Sequence, residues 1–106
     1  MDNRRVATRT PCRLAAQIAA GERTLDVAFR DLSLGGAFVE ALERVPVGER
    51  VTVRFRVPAQ PDPIEVGGEV RWHGREEAGA PGFGVRFDGL RARDAWALTR
   101  FLDAAA

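Results

Sequence analysis

At 106 residues the chain has room for one domain around one hydrophobic core, and not for two. Its 45% hydrophobic and 29% charged content is that of a globular protein, and no apolar run approaches the roughly 20 residues of a membrane helix, so a cytoplasmic location is expected. A net charge of +1 gives no general reason to expect a nucleic acid polymer as partner, and one cysteine, Cys12, excludes an internal disulfide.

Met1 to Pro11 are polar and basic, with no sustained hydrophobic period, and read as an extended N-terminal arm. Pro11 disfavours helix at Thr10, so Arg5 and Arg9 are expected on a loop rather than on a helical face. From Cys12 the period becomes that of a strand: Cys12, Leu14, Ala16 and Ile18 alternate with Arg13, Ala15 and Gln17. Cys12 itself is expected to be a small core residue. Gly21-Glu22 supplies a turn, and a second strand carries Leu25, Val27 and Phe29 on one face. Asp31 to Gly36 ends that strand, and Ala37-Phe38-Val39 begins a third that turns back or crosses over. After the turn at Pro46-Val47-Gly48, Val51, Val53, Phe55 and Val57 alternate with Thr52, Arg54 and Arg56. Pro58 to Pro63 is a proline-rich loop. Ile64, Val66, Val70 and Trp72 mark a fifth strand, in which Gly67-Gly68 suggests a bulge or bend. A polar loop, Arg75 to Pro81, leads to a sixth strand with Phe83, Val85 and Phe87.

From about Arg91 to Asp103 the period changes to that of a helix, with Ala95, Leu98 and Leu102 on one side and Phe101 beside them. Trp96 and Phe101 on this helix are core or interface residues. The expected fold is therefore mainly all-β: a small six-stranded antiparallel barrel (residues 12–89), preceded by a basic arm (1–11) and covered by one C-terminal helix (90–104).

The stretch Asp31-Leu32-Ser33-Leu34-Gly35-Gly36 sets an acid, a hydroxyl and adjacent glycines between two strands. It reads either as a tight turn or as a site where Asp31 and Ser33 face a ligand and the glycines, free to take positive φ, let it approach. The basic residues add a second clue. All sixteen are arginine, each a planar fork suited to phosphates and base edges. Arg-x-x-x-Arg occurs four times (Arg5/Arg9, Arg9/Arg13, Arg50/Arg54, Arg71/Arg75), so the spacing means little by itself. Position distinguishes Arg5/Arg9, which lie on the arm before the first strand. Arg9/Arg13 also satisfies the spacing, but the pleat of a strand would fix the direction of Arg13.

Arg5-Val6-Ala7-Thr8-Arg9 followed by Asp31-x-Ser33-x-x-Gly36 resembles the PilZ domain, the bacterial family of cyclic di-GMP receptors. Gly36-Ala37-Phe38-Val39, Gly48-Glu49-Arg50-Val51, Gly68-Glu69-Val70-Arg71-Trp72, Gly84-Val85-Arg86-Phe87 and the closing helix also look like family positions, so the resemblance covers nearly the whole chain. It implies cyclic di-GMP as ligand and no other cofactor, with Arg4, Arg5, Arg9, Asp31, Ser33, Gly35 and Gly36 as binding residues. In that reading Arg5 and Arg9 neutralise phosphates, fork onto the Hoogsteen O6 and N7 acceptors of guanine and stack on its rings. Asp31 accepts from the N1/N2 edge, and Ser33 serves either base or phosphate. Arg4 before the motif implies two ligand molecules per domain; its other reading is a solvated charge.

Nothing in the chain suggests an enzyme. His73 is the sole histidine and is expected in a surface or packing role. No Cys/His cluster, no Gly-Lys-Ser/Thr phosphate loop and no base beside Ser33 is present in the sequence. The remaining readings are a receptor that alters the surface offered to an effector protein, a ligand-independent PilZ-type adaptor, and a small barrel for single strands. The near-neutral charge and the lack of exposed aromatics in series count against the last.

Overall fold

The computed structural model describes residues 10–58, 60–75 and 81–105. Six strands and one helix follow in order: β1 (Thr10–Ala20), β2 (Arg23–Ser33), β3 (Gly36–Glu40), β4 (Arg50–Phe55), β5 (Ile64–Arg75), β6 (Pro81–Phe87) and α1 (Ala92–Ala105). The strands close into a barrel in the order β1-β2-β3-β6-β5-β4, with every pairing antiparallel. Closure gives every strand a partner on both sides along part of its length, which is how a small sheet avoids a free edge strand.

The expected alternation fills the interior. Ile18 of β1, Phe29 of β2, Val39 of β3, Val53 of β4, Ile64 of β5 and Phe83 of β6 are all at most 1% exposed. Phe29 and Phe55 meet edge to face, with centroids 5.0 Å apart. Tight turns hold the meander. Gly21, at φ 64°, is the first central residue of the two-residue β1–β2 loop, where a left-handed φ matches the twist of the hairpin. Gly48, at φ 96°, occupies the third position of a turn closed by Glu49 N–H onto the Pro46 carbonyl at 3.1 Å.

α1 buries Ala97 and Leu98 against the barrel, and Phe101 and Leu102 pack on the same core. Trp96 instead points to solvent, 64% exposed, with the Arg100 guanidinium 5.0 Å above its ring. Asp94, in the first turn and 1% exposed, accepts hydrogen bonds from Gln60 at 3.2 Å and from Arg91 at 3.3 Å. It thereby ties the β4–β5 connection to the helix, and its charge suits the positive N-terminal end of the helix dipole.

Two local expectations change. Thr10 and Pro11 are not part of the arm; they open β1, paired with Leu32 and Asp31. Gly67-Gly68 forms no bulge, since both glycines stay in register with Thr52 and Val51 of β4. They are small because a Cβ on Gly68 would lie 2.7 Å from the Arg86 carbonyl oxygen, and one on Gly67 would lie 2.7 Å from the Asp88 carboxylate that pairs with Arg50. The irregularity of β5 falls instead between Val70 and Trp72. The extra residue there, Arg71, breaks the alternation, so Trp72 leaves the inward row and lies on the outer face.

Candidate functional site

The β2–β3 turn gathers four of the residues singled out by sequence. β2 bulges between Phe29 and Asp31, and the Asp31 carboxylate accepts from the Phe38 N–H at 3.1 Å, bracing the strand across that irregularity. Ser33 is 2% exposed. Its Oγ accepts from the Gly35 N–H at 3.1 Å and donates to the Gly36 carbonyl at 3.2 Å, closing the turn from inside. Neither Gly35 nor Gly36 takes a left-handed φ. Gly36 is needed for close approach of another kind: a Cβ there would sit 2.3 Å from the Val85 carbonyl oxygen of β6. Gly35 is exposed, and the nearest atom to a Cβ on it would be Ser33 Oγ at 3.9 Å. The space above this turn is therefore open at Gly35 and filled by the neighbouring strand at Gly36.

Arg4, Arg5 and Arg9 lie outside the described residues. The chain nevertheless enters the barrel at Thr10, opposite Leu32. That pairing puts Thr10 opposite the residue between Asp31 and Ser33 in the ladder. Arg13, the competing partner in Arg-x-x-x-Arg spacing, is on β1 and lies 3.6 Å from Glu40, which Arg30 also contacts at 3.3 Å. Cys12 is half-buried against the core, and burial, then the charge of Asp31, pushes its thiol pKa upward, opposite to what a nucleophile needs. His73 is a clip: its Nε2 donates to the Val45 carbonyl at 2.6 Å, leaving Nδ1 to accept from Arg44 at 2.9 Å.

The facing wall of the site comes from β5 and β6. Gly84 pairs with both Phe38 and Trp72, and the indole lies over Gly84 where a Cβ would come within 2.3 Å of it. Gly82 leaves equivalent room for the Phe38 ring. In this glycine trough Trp72 stacks on Phe38, with centroids 5.2 Å apart and planes 14° from parallel, and remains 40% exposed. Arg86, next along β6 on the same outward face, pairs in register with Gly36. A cavity of about 420 Å³ opens between Ser33, Gly35 and Gly36 on one side and Arg71, Trp72 and Arg86 on the other.

Arg71, Trp72 and Arg86 were not among the site residues read from sequence. The signal for Trp72 was the run of glycines at Gly74, Gly82 and Gly84, which leave room for its ring and that of Phe38; nothing in the sequence marks Arg71 or Arg86 as site residues. A larger cleft of about 520 Å³ lies elsewhere, against Leu14, Arg54 and Pro63. There Gln17 bonds Asp26 at 3.2 Å and Arg56 donates to the Pro61 carbonyl at 2.6 Å; the smaller cavity is the candidate site because it adjoins Ser33, Gly35 and Gly36. Among the described residues no cluster of three metal-ligating side chains occurs, and no helix is long and apolar enough to cross a membrane.

The family model of the PilZ domain matches residues 3–104. The chain belongs to the PilZ family. Solved structures share the PilZ fold at low identity. The Bacillus subtilis inhibitor of motility, MotI/DgrA, superposes with a TM-score of 0.81 at 22% identity, over 97% of this chain and 51% of its own, so this PilZ domain spans about half of that protein. The PilZ domain of YcgR from Escherichia coli, solved with cyclic di-GMP, gives 0.75 at 17% identity, covering 97% of this chain and 92% of that one. PlzA from Borreliella burgdorferi, in complex with cyclic di-GMP, gives 0.69 at 17%, covering 94% and 41%. No curated protein matches the chain.

Proposed function

We propose that this PilZ domain is a receptor for cyclic di-GMP that acts through a separate effector protein. The observation that carries the reading is the Thr10–Leu32 pairing, which sets Thr10, the residue after Arg9 in sequence, beside Asp31 and Ser33, at a turn that lines an open cavity with an exposed indole. The ligand joins two phosphodiesters to two guanines. Arg5 and Arg9 fit the phosphates and the Hoogsteen edges, and Trp72 offers a flat, pre-positioned surface to a purine. Asp31 suits the donor edge of guanine, and Gly35 leaves room for close approach. Arg4 completes a basic set suited to two stacked ligand molecules. Ligand held jointly by Arg4, Arg5 and Arg9 and by the turn would change the surface presented to the effector. The cyclic di-GMP complexes of YcgR and PlzA support the ligand, and the motility inhibitor of Bacillus subtilis is a precedent for an output on motility.

A second reading, a ligand-independent adaptor, draws support from the same turn. Asp31 and Ser33 both make hydrogen bonds that hold the β2–β3 hairpin together without any ligand, so the motif has a structural use of its own. Calorimetric titration with cyclic di-GMP, using GTP and cyclic AMP as controls, separates the two. Micromolar or tighter binding confined to cyclic di-GMP, lost when Arg5 and Arg9 are both changed to alanine, is expected of a receptor, with a stoichiometry of two if Arg4 acts as stated. A folded chain that binds none of the three favours the adaptor.

A further inference from the structure

Outside the two motifs, the outer face of β5 and β6 carries the charged residues Glu69, Arg71 and Arg86. Arg86 is exposed, and its guanidinium has no hydrogen-bond or ion-pair partner among the described residues. In register it stands between Gly36 on β3 and Glu69 on β5. Arg86 lines the cavity that opens beside Ser33, Gly35 and Gly36. Arg71, the bulged residue, lines the same cavity and touches Glu69 only loosely, at 3.8 Å. Arg50, the other residue opposite Glu69, is held by Asp88. The wall thus presents the forks of Arg71 and Arg86 against the single carboxylate of Glu69, on either side of an indole.

We propose that Arg86, assisted by Arg71, is a phosphate-binding and affinity-setting element supplied by the barrel wall itself, in addition to the arm. This rests on the nucleotide reading of the site given above. A planar fork without an acid partner gains the whole of a charge-assisted contact when a phosphodiester arrives, because no existing ion pair must first be broken. Arg71 and Arg86 line the same cavity as Trp72, so a phosphate of a nucleotide held there comes within their reach. Glu69 opposes the ligand in the same place, so its charge lowers the affinity. The wall tunes the site in both directions without touching the residues that hold the turn.

Titration of the intact chain with cyclic di-GMP tests this through Arg86→Ala, Arg71→Ala and Glu69→Gln, each first checked for an unchanged circular dichroism spectrum. Arg86→Ala should weaken binding about tenfold to a hundredfold and Arg71→Ala less, the range for losing one charged hydrogen-bonding group. Glu69→Gln should tighten binding about threefold, a gain that a merely structural role would not produce. Unchanged affinity in Arg86→Ala, or weaker binding in Glu69→Gln, overturns the proposal. If the unaltered chain does not bind cyclic di-GMP, the receptor reading fails by itself, and thermal denaturation in millimolar inorganic pyrophosphate decides the anion site. A stabilisation present in the unaltered chain and absent from Arg86→Ala upholds it, whereas no stabilisation, or an equal one in both, overturns it.

Discussion

Gly35 and Gly36 look alike in the sequence and differ in what the fold asks of them. A methyl group at Gly36 would meet the Val85 carbonyl at 2.3 Å and the Arg86 Cα at 3.3 Å, both backbone atoms that cannot step aside without parting β3 from β6. Gly36→Ala is expected to cost about 2–3 kcal/mol in urea denaturation, in the range of overpacked sites. Gly35→Ala meets nothing closer than 3.9 Å at an ordinary φ, so its stability should stay within about 0.5 kcal/mol of the parent. Asp31 invites a similar separation of roles. An asparagine keeps an oxygen to accept from the Phe38 N–H, which preserves the brace across the β2 bulge, but it gives up the charge. Asp31→Asn should therefore keep the contact with Phe38 and weaken cyclic di-GMP binding about tenfold by calorimetry, the scale of a charged hydrogen bond reduced to a neutral one. Unchanged binding would assign Asp31 to the fold alone.

At the scale of elements, α1 is held by an apolar stripe and by one polar clamp. Ala97 and Leu98 face the barrel, while Asp94 joins the helix to Gln60 in the β4–β5 connection. Because the Arg91 partner of Asp94 is largely exposed, the clamp is worth less than a fully buried pair; Asp94→Ala is expected to cost about 2 kcal/mol and to lower the melting temperature. The β5–β6 wall is organised differently, with its aromatic pair lying on the outside of the sheet over Gly82 and Gly84. Trp72 stacks on Phe38, so one face of the indole is already packed against a neighbour.

For the whole molecule, closure couples strands far apart in sequence, since β1 pairs with β4 and β3 with β6. Such non-local pairing predicts a single cooperative unfolding transition and refolding on the millisecond-to-second scale of small barrels. The two tryptophans report separately on wall and helix. Trp96→Phe leaves Trp72 as the probe of the barrel, and Trp72→Phe leaves Trp96 as the probe of α1. If α1 belongs to the same folding unit, as the complete burial of Leu98 argues, each variant will show its fluorescence transition at the same denaturant concentration as its circular dichroism transition.

The strands, their faces, the helix and the β2–β3 turn were legible in the sequence because each depends on near neighbours: alternation for Val51 to Phe55, a change of period at α1, glycine at Gly21 and Gly48. Asp31, Ser33, Gly35 and Gly36 were legible for the same reason, as four residues of one turn. What they do was not, because the contacts of Gly36 with Val85 and of Asp31 with Phe38 depend on how strands pair. Trp72 shows the limit most clearly. Alternation from Ile64 points it inward, and the extra residue at Arg71 turns it out, an irregularity visible only when β5 is laid against β6. By itself the sequence determined the elements, the family and the motif residues, all of which follow from local pattern and spacing. Tertiary structure alone decided that a glycine trough, an indole and the arginines of β5 and β6 face that motif, because a closed barrel sets side by side residues that the chain keeps dozens of positions apart.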